Sequence, residues 1–305
     1  MSALLLGLLM AAEIQVTMRH LPDTGQTRHF ADGDDSDYTA HPPAFSKLDD
    51  GIVLDEVTGL QWQQAGGGEM TWDRARAYCT ELRAGAYEDW RLPTNRELFS
   101  IINHNNPNPA LDRAYLEAAG AEYWWSAEAR VDDPSRVWSV NAGGGTGPHP
   151  QQETVSAGGE KRFHVRCVRH TSATTLEAAY QANPDATVTD LRTGLQWQQN
   201  ESEPMTWTEA LSFVKTLDTG GYTDWRLPNI KELQSLHDEQ RVRPAIDQQY
   251  FPSAASALYW SSTTLINRDG DRAWTLDFTL GIVSYNDKTN RLRVRAVRTV
   301  ATEQP

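Results

Sequence analysis

Apolar residues along this chain fall into two periods in turn. Near residue 52 they come in short β-rich bursts. Ile52-Val-Leu-Asp55, a Thr58-Gly59 turn and Leu60-Gln-Trp-Gln63 predict a strand hairpin. From Thr71, an N-cap candidate, the spacing becomes helical, with Trp72, Ala75, Cys79 and Leu82 on one face and an end near Gly85. Thr94-Asn-Arg-Glu97 has the form of a capping box and predicts a second helix through Leu98-Phe-Ser-Ile-Ile102. Aromatic and β-branched runs then return at Tyr123-Trp-Trp-Ser126, Arg136-Val-Trp-Ser-Val140 and Phe163-His-Val-Arg-Cys-Val168, predicting strands between long loops. A hairpin, two helices and a strand-rich second half is an α+β arrangement.

The pattern is written twice. Trp62, Trp72, Trp90 and Trp125 recur 135 positions later as Trp197, Trp207, Trp225 and Trp260, and Trp138 recurs one residue out of step as Trp274. Thr58 to Gln64 returns as Thr193 to Gln199, and Asp89-Trp-Arg-Leu-Pro93 as Asp224 to Pro228. The helix starts recur as the capping boxes Thr206-Trp-Thr-Glu209 and Asn229-Ile-Lys-Glu232. A fixed offset over this length means duplicated domains, at 54–169 and 188–298, each long enough for its own core. The polar stretch 13–53 is an extended arm rather than a third domain. Residues 170–187 form a connector with a helical turn at Leu176-Glu-Ala-Ala-Tyr180, and 299–305 a tail.

Charge narrows the choice of partners. The chain carries 28 Lys and Arg against 41 Asp and Glu, a net −13, with no basic run. Nucleic acid is therefore not the expected partner. Ser2 to Ala12 is a short apolar run ending in small residues, too short to span a bilayer. It has the form of the h-region and cleavage site of a secretory signal without its basic n-region, the alternative being a buried N-terminal element. No other segment has the length of a membrane span, so the expectation is a soluble mature chain, secreted, periplasmic or at the cell surface. Cys79 aligns with Val214 and Cys167 with Ala296, so one copy has both cysteines and the other neither. Joint presence and joint loss is the signature of a disulfide, and it agrees with an oxidising compartment.

The duplication also serves to weigh candidate chemistry. Tryptophans present in both copies suit a core better than a sugar-stacking platform. Trp124 is the exception, since its counterpart is Tyr259, and it becomes a ligand-contact candidate. Asp89 and Glu97, with Asp224 and Glu232, suggest an acid–base pair, but both glutamates already occupy capping boxes, and Asp89 is expected to bind nearby backbone or Arg91. Asp32-Gly-Asp-Asp-Ser-Asp37 is dense enough in oxygen for an irregular calcium site, although it lacks the EF-hand glycine and glutamate. The histidines show no metal-ligand spacing, and His104 and His237 have the character of loop residues. The copies diverge most between the Trp138 or Trp274 strand and the terminal strand, where a kept scaffold carries changed loops. Ligand contacts are therefore expected at His149, Gln151 and Gln152 in copy one, and at Tyr285, Asn286, Asp287 and Asn290 in copy two.

The ordered set Thr-Gly-Leu-x-Trp-Gln, Trp-x-x-Ala, Asp-Trp-Arg-Leu-Pro-x-x-x-Glu-Leu, Tyr-Trp-Ser and Val-Arg-x-Val-Arg resembles the Lcl C-terminal domain family, exported bacterial domains named for the end of a collagen-like adhesin. The resemblance covers both copies. It implies tandem C-type-lectin-like domains, a fold shared with formylglycine-generating enzymes, whose first and last strands pair and whose long loops carry the binding surface. It also implies attachment, with sulfated glycosaminoglycans bound by the named adhesin. This chain departs from that adhesin in its acidity, its two modules and its lack of a collagen-like stalk. The expectation is thus a non-catalytic binding protein for a glycan or protein ligand. The alternatives are a formylglycine-generating-type enzyme, which would need a reactive cysteine pair, and a structural envelope interaction protein.

Overall fold

A computed structural model of the chain describes residues 14–118, 120, 122–152, 162–266 and 269–300. The arm supplies β1 (Ile14–Val16) and β2 (Phe45–Lys47). The first repeat opens with the hairpin β3 (Ile52–Asp55) and β4 (Leu60–Gln63), then β5 (Glu69–Met70), α1 (Trp72–Glu81) and α2 (Asn95–Ser100). It continues through β6 (Tyr123–Arg130), β7 (Asp133–Asn141), β8 (Thr146–Pro150), β9 (Phe163–His164) and β10 (Val168–His170). The connector holds β11 (Thr174–Leu176) and β12 (Tyr180–Ala182). The second repeat has β13 (Thr187–Asp190), β14 (Leu195–Gln198), α3 (Trp207–Val214), α4 (Ile230–Ser235), β15 (Leu258–Thr264), β16 (Arg272–Asp277), β17 (Ile282–Asp287) and β18 (Val297–Thr299). Among the described residues no helix is long and apolar enough to cross a membrane.

Local chemistry sets most of these boundaries. Asp55 Oδ1 accepts from the Val57 and Thr58 amides, and Gly59 supplies the positive φ (74°) that closes the turn between β3 and β4. Thr94, Thr206 and Asn229 each form a complete capping box, while Thr71 stands at the N-cap of α1 without a side-chain bond. α1 stops at Glu81, short of Gly85, because Leu82 is already extended. The chain then turns so that Ala84 O can accept from Trp90 Nε1. The expected strand from Phe163 to Val168 is split. Buried Arg166 interrupts it by donating to the carbonyls of Gln63, Gln64 and Glu117, and Arg295 donates likewise to Gln198 and Gln199.

In each repeat the last strand pairs with the second strand of the hairpin, β10 with β4 and β18 with β14. The outer edges of the hairpins are covered by β2 and β12. The connector therefore forms strands where a helical turn was expected, because an open sheet edge needs a partner more than five residues need a helix. The arm is not free either. β1 pairs with β11, and the stretch between β1 and β2 crosses to the second repeat, where the Thr264 amide donates to Gln26 Oε1.

The expectation of two separate cores holds only in part. Each repeat has a private cluster: Cys79, Trp90, Trp125 and Cys167 in the first, Trp207, Leu211, Trp225 and Trp260 in the second. A third cluster spans both, joining Leu98, Phe99, Trp124 and Val140 to Leu233, Leu236, Tyr259 and Trp274. One eight-stranded sheet, in the order β15-β16-β17-β8-β7-β6-β9-β5, also runs through both repeats, bridged where Val283 meets Thr146. Cys79 and Cys167 are disulfide-bonded, with Cα atoms 5.4 Å apart.

Candidate ligand cavity beneath the arm

The repeated charged residues bind one another. Asp89 pairs with Arg169 (2.7 Å), not with Arg91, and Asp224 pairs with Arg298 at the same distance. Arg91 instead forms a fork on both oxygens of Glu97 (2.7 and 2.6 Å), repeated by Arg226 on Glu232 (2.6 and 2.6 Å). Burial pushes the Glu97 carboxyl up, but bonds from Arg91, Thr17 and the Thr94 amide outweigh it and hold the group below the usual carboxylate range. The tryptophans behave alike. Trp72 and Trp207 donate to Ser126 O and Ser261 O, and Trp125 and Trp260 to Met70 O and Met205 O, each at 2.9 Å. What recurs at offset 135 is a scaffold.

The two repeats clasp each other reciprocally. Arg96 at the start of α2 donates to the carbonyls of Ser235 and His237 at the end of α4, and Lys231, its counterpart, donates to Ser100 O at the end of α2 and to Asp23 O of the arm. Cations placed on orphan helix carbonyls satisfy both the bond and the dipole. His104 and His237 are not loop surface residues. They are 3% and 1% exposed and form edge contacts with the other repeat's tryptophan, His104 with Trp274 (5.0 Å) and His237 with Trp138 (4.9 Å). Burial holds His104 down at about 3 and His237 below its ordinary value, so both pack as neutral aromatic rings.

At the N-terminus of each second helix the repeats differ. In the second, the Ile230 amide donates to Thr263 Oγ1, and that hydroxyl donates to Asp35 Oδ2 of the arm (2.6 Å), which Thr24 also reaches. Asp35 is buried, its carboxyl pushed up to about 7 by desolvation, and Tyr38 lies over Arg226. In the first repeat Glu128 holds the place of Thr263 and its own Oε2 accepts from the Asn95 amide (2.6 Å). Here the arm only bridges the groove, and a cavity of about 500 Å³ remains beneath Ile14 to Leu21. Arg91, Leu92, Arg96, Ala127 and Glu128 of the first repeat line it with Arg192, Thr193 and Glu239 of the second. Burial, then the neighbouring Glu239, push the Glu128 carboxyl up to about 8.

Profile comparison matches the Lcl C-terminal domain over residues 51–169 and again over 186–298. The chain belongs to the Lcl C-terminal domain family. No curated protein matches it. The paired Asp-Arg, Arg-Glu and tryptophan bonds are thus shared by two Lcl C-terminal domains in one chain, whereas the grooves differ: the first keeps the cavity of about 500 Å³ that the arm and both domains wall, and the second keeps about 250 Å³ between Asp23, Tyr38, Arg226 and Glu232.

The loop residues singled out from divergence do not converge. Trp124 is 1% exposed, packed in the shared core and not available as a surface contact. His149 lies on β8 against Tyr123 and Phe163, while Gln151 and Gln152 edge a small cleft at the start of α1 with Thr71, Trp72 and Asp73. In the second domain Tyr285 is 47% exposed and borders a cleft of about 270 Å³ with His104, Asn106 and Trp274. Asn286 donates to Thr275 and accepts from Asn290, and Asp287 pairs with Arg272 (3.0 Å). Register separates the sets: His149 stands opposite Val137, but Tyr285 stands opposite Trp274, the counterpart of Trp138, so the two side chains leave opposite faces. The loop beyond Gln152 is outside the described residues, as are the apolar start and the last five residues.

The arm's acidic run is largely occupied by internal bonds. Asp34 accepts from the Phe30, Ala31 and Ser36 amides, and Asp35 is taken by Thr24 and Thr263. His29, Asp34 and Asp37 do come together, with one ligand atom each within 4.8 Å of the others. Sequence reasoning missed Glu128 and Glu239 altogether. A signal existed for the first, because Trp125-Ser-Ala-Glu128 becomes Trp260-Ser-Ser-Thr263, a change of chemistry inside a kept strand.

Proposed function

We propose that this chain is an exported, non-catalytic attachment protein, built on two C-type-lectin-like domains, that holds a glycan or protein partner and seats part of it in the cavity beneath the arm. One observation carries the reading: a cavity of about 500 Å³ is walled by the arm, the first domain and the second, so a group bound there touches all three. Cavities of this size at domain junctions are where ligands are commonly buried. Two further features support binding over turnover. Cys79 and Cys167, which a formylglycine-generating type of enzyme would need as reactive thiols, are joined and buried. The Arg91–Glu97 and Arg192–Asp190 pairs are engaged with each other. A disulfide closing a long loop is in keeping with export. Exposed Tyr285 and its cleft form an outer contact surface for the same partner.

The test uses purified full-length chain on arrays of glycans, sulfated glycosaminoglycans included, and of surface-protein peptides. Ala127→Trp, at an exposed position on the cavity rim, fills the space without entering the core. Selective capture lost in Ala127→Trp supports the cavity as the seat. Capture that survives it but fails in Tyr285→Ala moves the seat to the outer cleft, and chemical change of the captured ligand would replace attachment by catalysis.

A further inference from the structure

We infer that the cavity beneath the arm takes an aliphatic primary ammonium group, its charge between the carboxyls of Glu128 and Glu239 and its alkyl stem along Ile14, Val16, Met18 and Leu92. The inference rests on the cavity being the ligand seat and goes further by naming the chemistry of the group that enters.

Charge supplies the first reason. Of the three arginines in the wall, Arg91 is neutralised by the fork on Glu97 and Arg192 by Asp190 (2.9 Å). Only Arg96, which donates to the carbonyls of Ser235 and His237, is left to face Glu128 and Glu239. Two carboxylates against one guanidinium leave the cavity one positive charge short.

Hydrogen bonding supplies the second. Glu239 Oε1 is buried without a hydrogen-bond partner among the described residues. His237 Nδ1, at 3.9 Å, is the near basic group, and burial keeps that ring neutral. A buried carboxylate oxygen left unbonded is costly; this one has no surface open to the cavity, so a cation there relieves it through charge, while the rest of the Glu239 carboxyl lines the wall. An ammonium offers three donors and one charge, enough to serve both carboxyls.

Shape supplies the third. One wall is apolar, formed by Ile14, Val16, Met18, Leu21 and Leu92, which suits a methylene stem leading to a charged head. The duplication acts as a control, because neither carboxyl of the pair recurs. Thr263 replaces Glu128 and is closed off by Asp35, and Glu239 aligns with His104, which packs on Trp274.

In the free protein a proton on Glu128 holds the place of the missing charge, kept there by burial, by Glu239 and by Glu97 against Arg96. An arriving ammonium displaces that proton to solvent, so binding near pH 7 releases up to one proton per site. The ammonium can come from a lysine side chain of a protein partner or from a small free amine.

Calorimetry of the full chain at pH 7, in buffers of different ionisation enthalpy, provides the test. Pentylammonium, pentanol, pentanoate and a peptide with one central lysine are titrated in turn. The expected result is that pentylammonium or the peptide binds at least tenfold more tightly than pentanol, with proton release. Glu128→Gln and Glu239→Gln should each weaken binding at least tenfold, Glu128→Gln should also abolish the release, and melting curves should show both variants folded. Tighter binding by the peptide makes the source a protein; tighter binding by pentylammonium makes it a free amine. If pentanol or pentanoate binds as well as the amine and Ala127→Trp blocks all of them, the seat stands and the ammonium assignment is overturned. If no probe binds, or Ala127→Trp changes nothing, the seat is overturned with it.

Discussion

The two domains share a scaffold and differ in how the arm meets them. On the second, the arm inserts Asp35 against Thr263 and lays Tyr38 over Arg226, narrowing the groove at the start of α4 to about 250 Å³. On the first, Glu128 already serves the helix N-terminus, and the arm passes above it and leaves a cavity. Glutamate against threonine at this position thus accompanies a groove left wide against one that the arm narrows to about 250 Å³.

The largest test of this asymmetry is covalent. Replacing Cys79 and Cys167 by the second domain's own residues, as Cys79→Val with Cys167→Ala, removes a bond closing 88 residues and should cost about 4 kcal/mol by chain entropy. Denaturant midpoints measure the loss, and an unchanged midpoint would show that the second domain's packing alone suffices. Next come the glycines under the junction histidines. At Gly281, with φ +94°, a Cβ would lie 2.1 Å from His237 Nε2, whereas at Gly144, with φ +101°, it would lie 3.2 Å from the His104 ring. Gly281→Ala should cost about 3 kcal/mol and Gly144→Ala about 1–2 kcal/mol, both in melting experiments.

The reciprocal clasp gives a smaller contrast. Lys231 is 1% exposed, its ammonium lowered to about 8 by burial, with Asp23, Asp35 and Asp55 acting on it from the arm and first hairpin. Lys231→Met should cost about 3 kcal/mol, since it strips a buried cation from those carboxyls. Arg96→Met removes two bonds to carbonyls and a charge that faces Glu128, whose raised carboxyl offsets the loss by holding a proton, and should cost about 1 kcal/mol. Equal losses would make the clasp symmetric in energy as it is in geometry.

Two pH effects follow, with opposite signs. The folded pKa of His104 lies below its ordinary 6.5, at about 3, so its stabilisation is complete above pH 6.5 and is lost as pH falls toward 3. His104→Leu should flatten the acid limb of a stability–pH curve. Asp35 is raised from 3.8 to about 7, so its contribution is complete below pH 3.8 and is lost as pH rises through 7. Asp35→Asn keeps an acceptor for Thr24 and Thr263, which both donate to the same oxygen, and should make the protein more stable at pH 8 than at present. The two effects oppose each other between pH 3.8 and 6.5, so the variants are the test: an acid limb unchanged in His104→Leu, or an Asp35→Asn no more stable than wild type at pH 8, would show that the group concerned does not feel its burial.

Much of the fold was legible because its signals are local. β3 and β4 fall where the alternation places them, and three capping boxes mark three helix starts. The cysteine pair was legible from the duplication alone. The ligand region was not. Trp124 and its counterpart Tyr259 are both buried in the core that the two repeats share, and Asp89 pairs with Arg169, 80 residues away, rather than with a neighbour. The hairpins that carry the divergent loops differ in turn length, so His149 shares its register position with Asn286 and not with Tyr285. No window of sequence reveals such a slip.

The sequence by itself determined two copies of one α+β unit, their family, their helix caps and their disulfide, because spacing and residue chemistry act within a few positions or repeat at a fixed offset. Only the tertiary structure decided that the copies share a core and a sheet, that two loop-like histidines are buried between them, and that the arm narrows one groove and roofs the other. Those outcomes depend on segments near residues 14–38, 91–97, 128, 192 and 239 meeting in space. They meet because the apolar faces of α2 and α4 are buried against each other's repeat, a long-range term that no local pattern records.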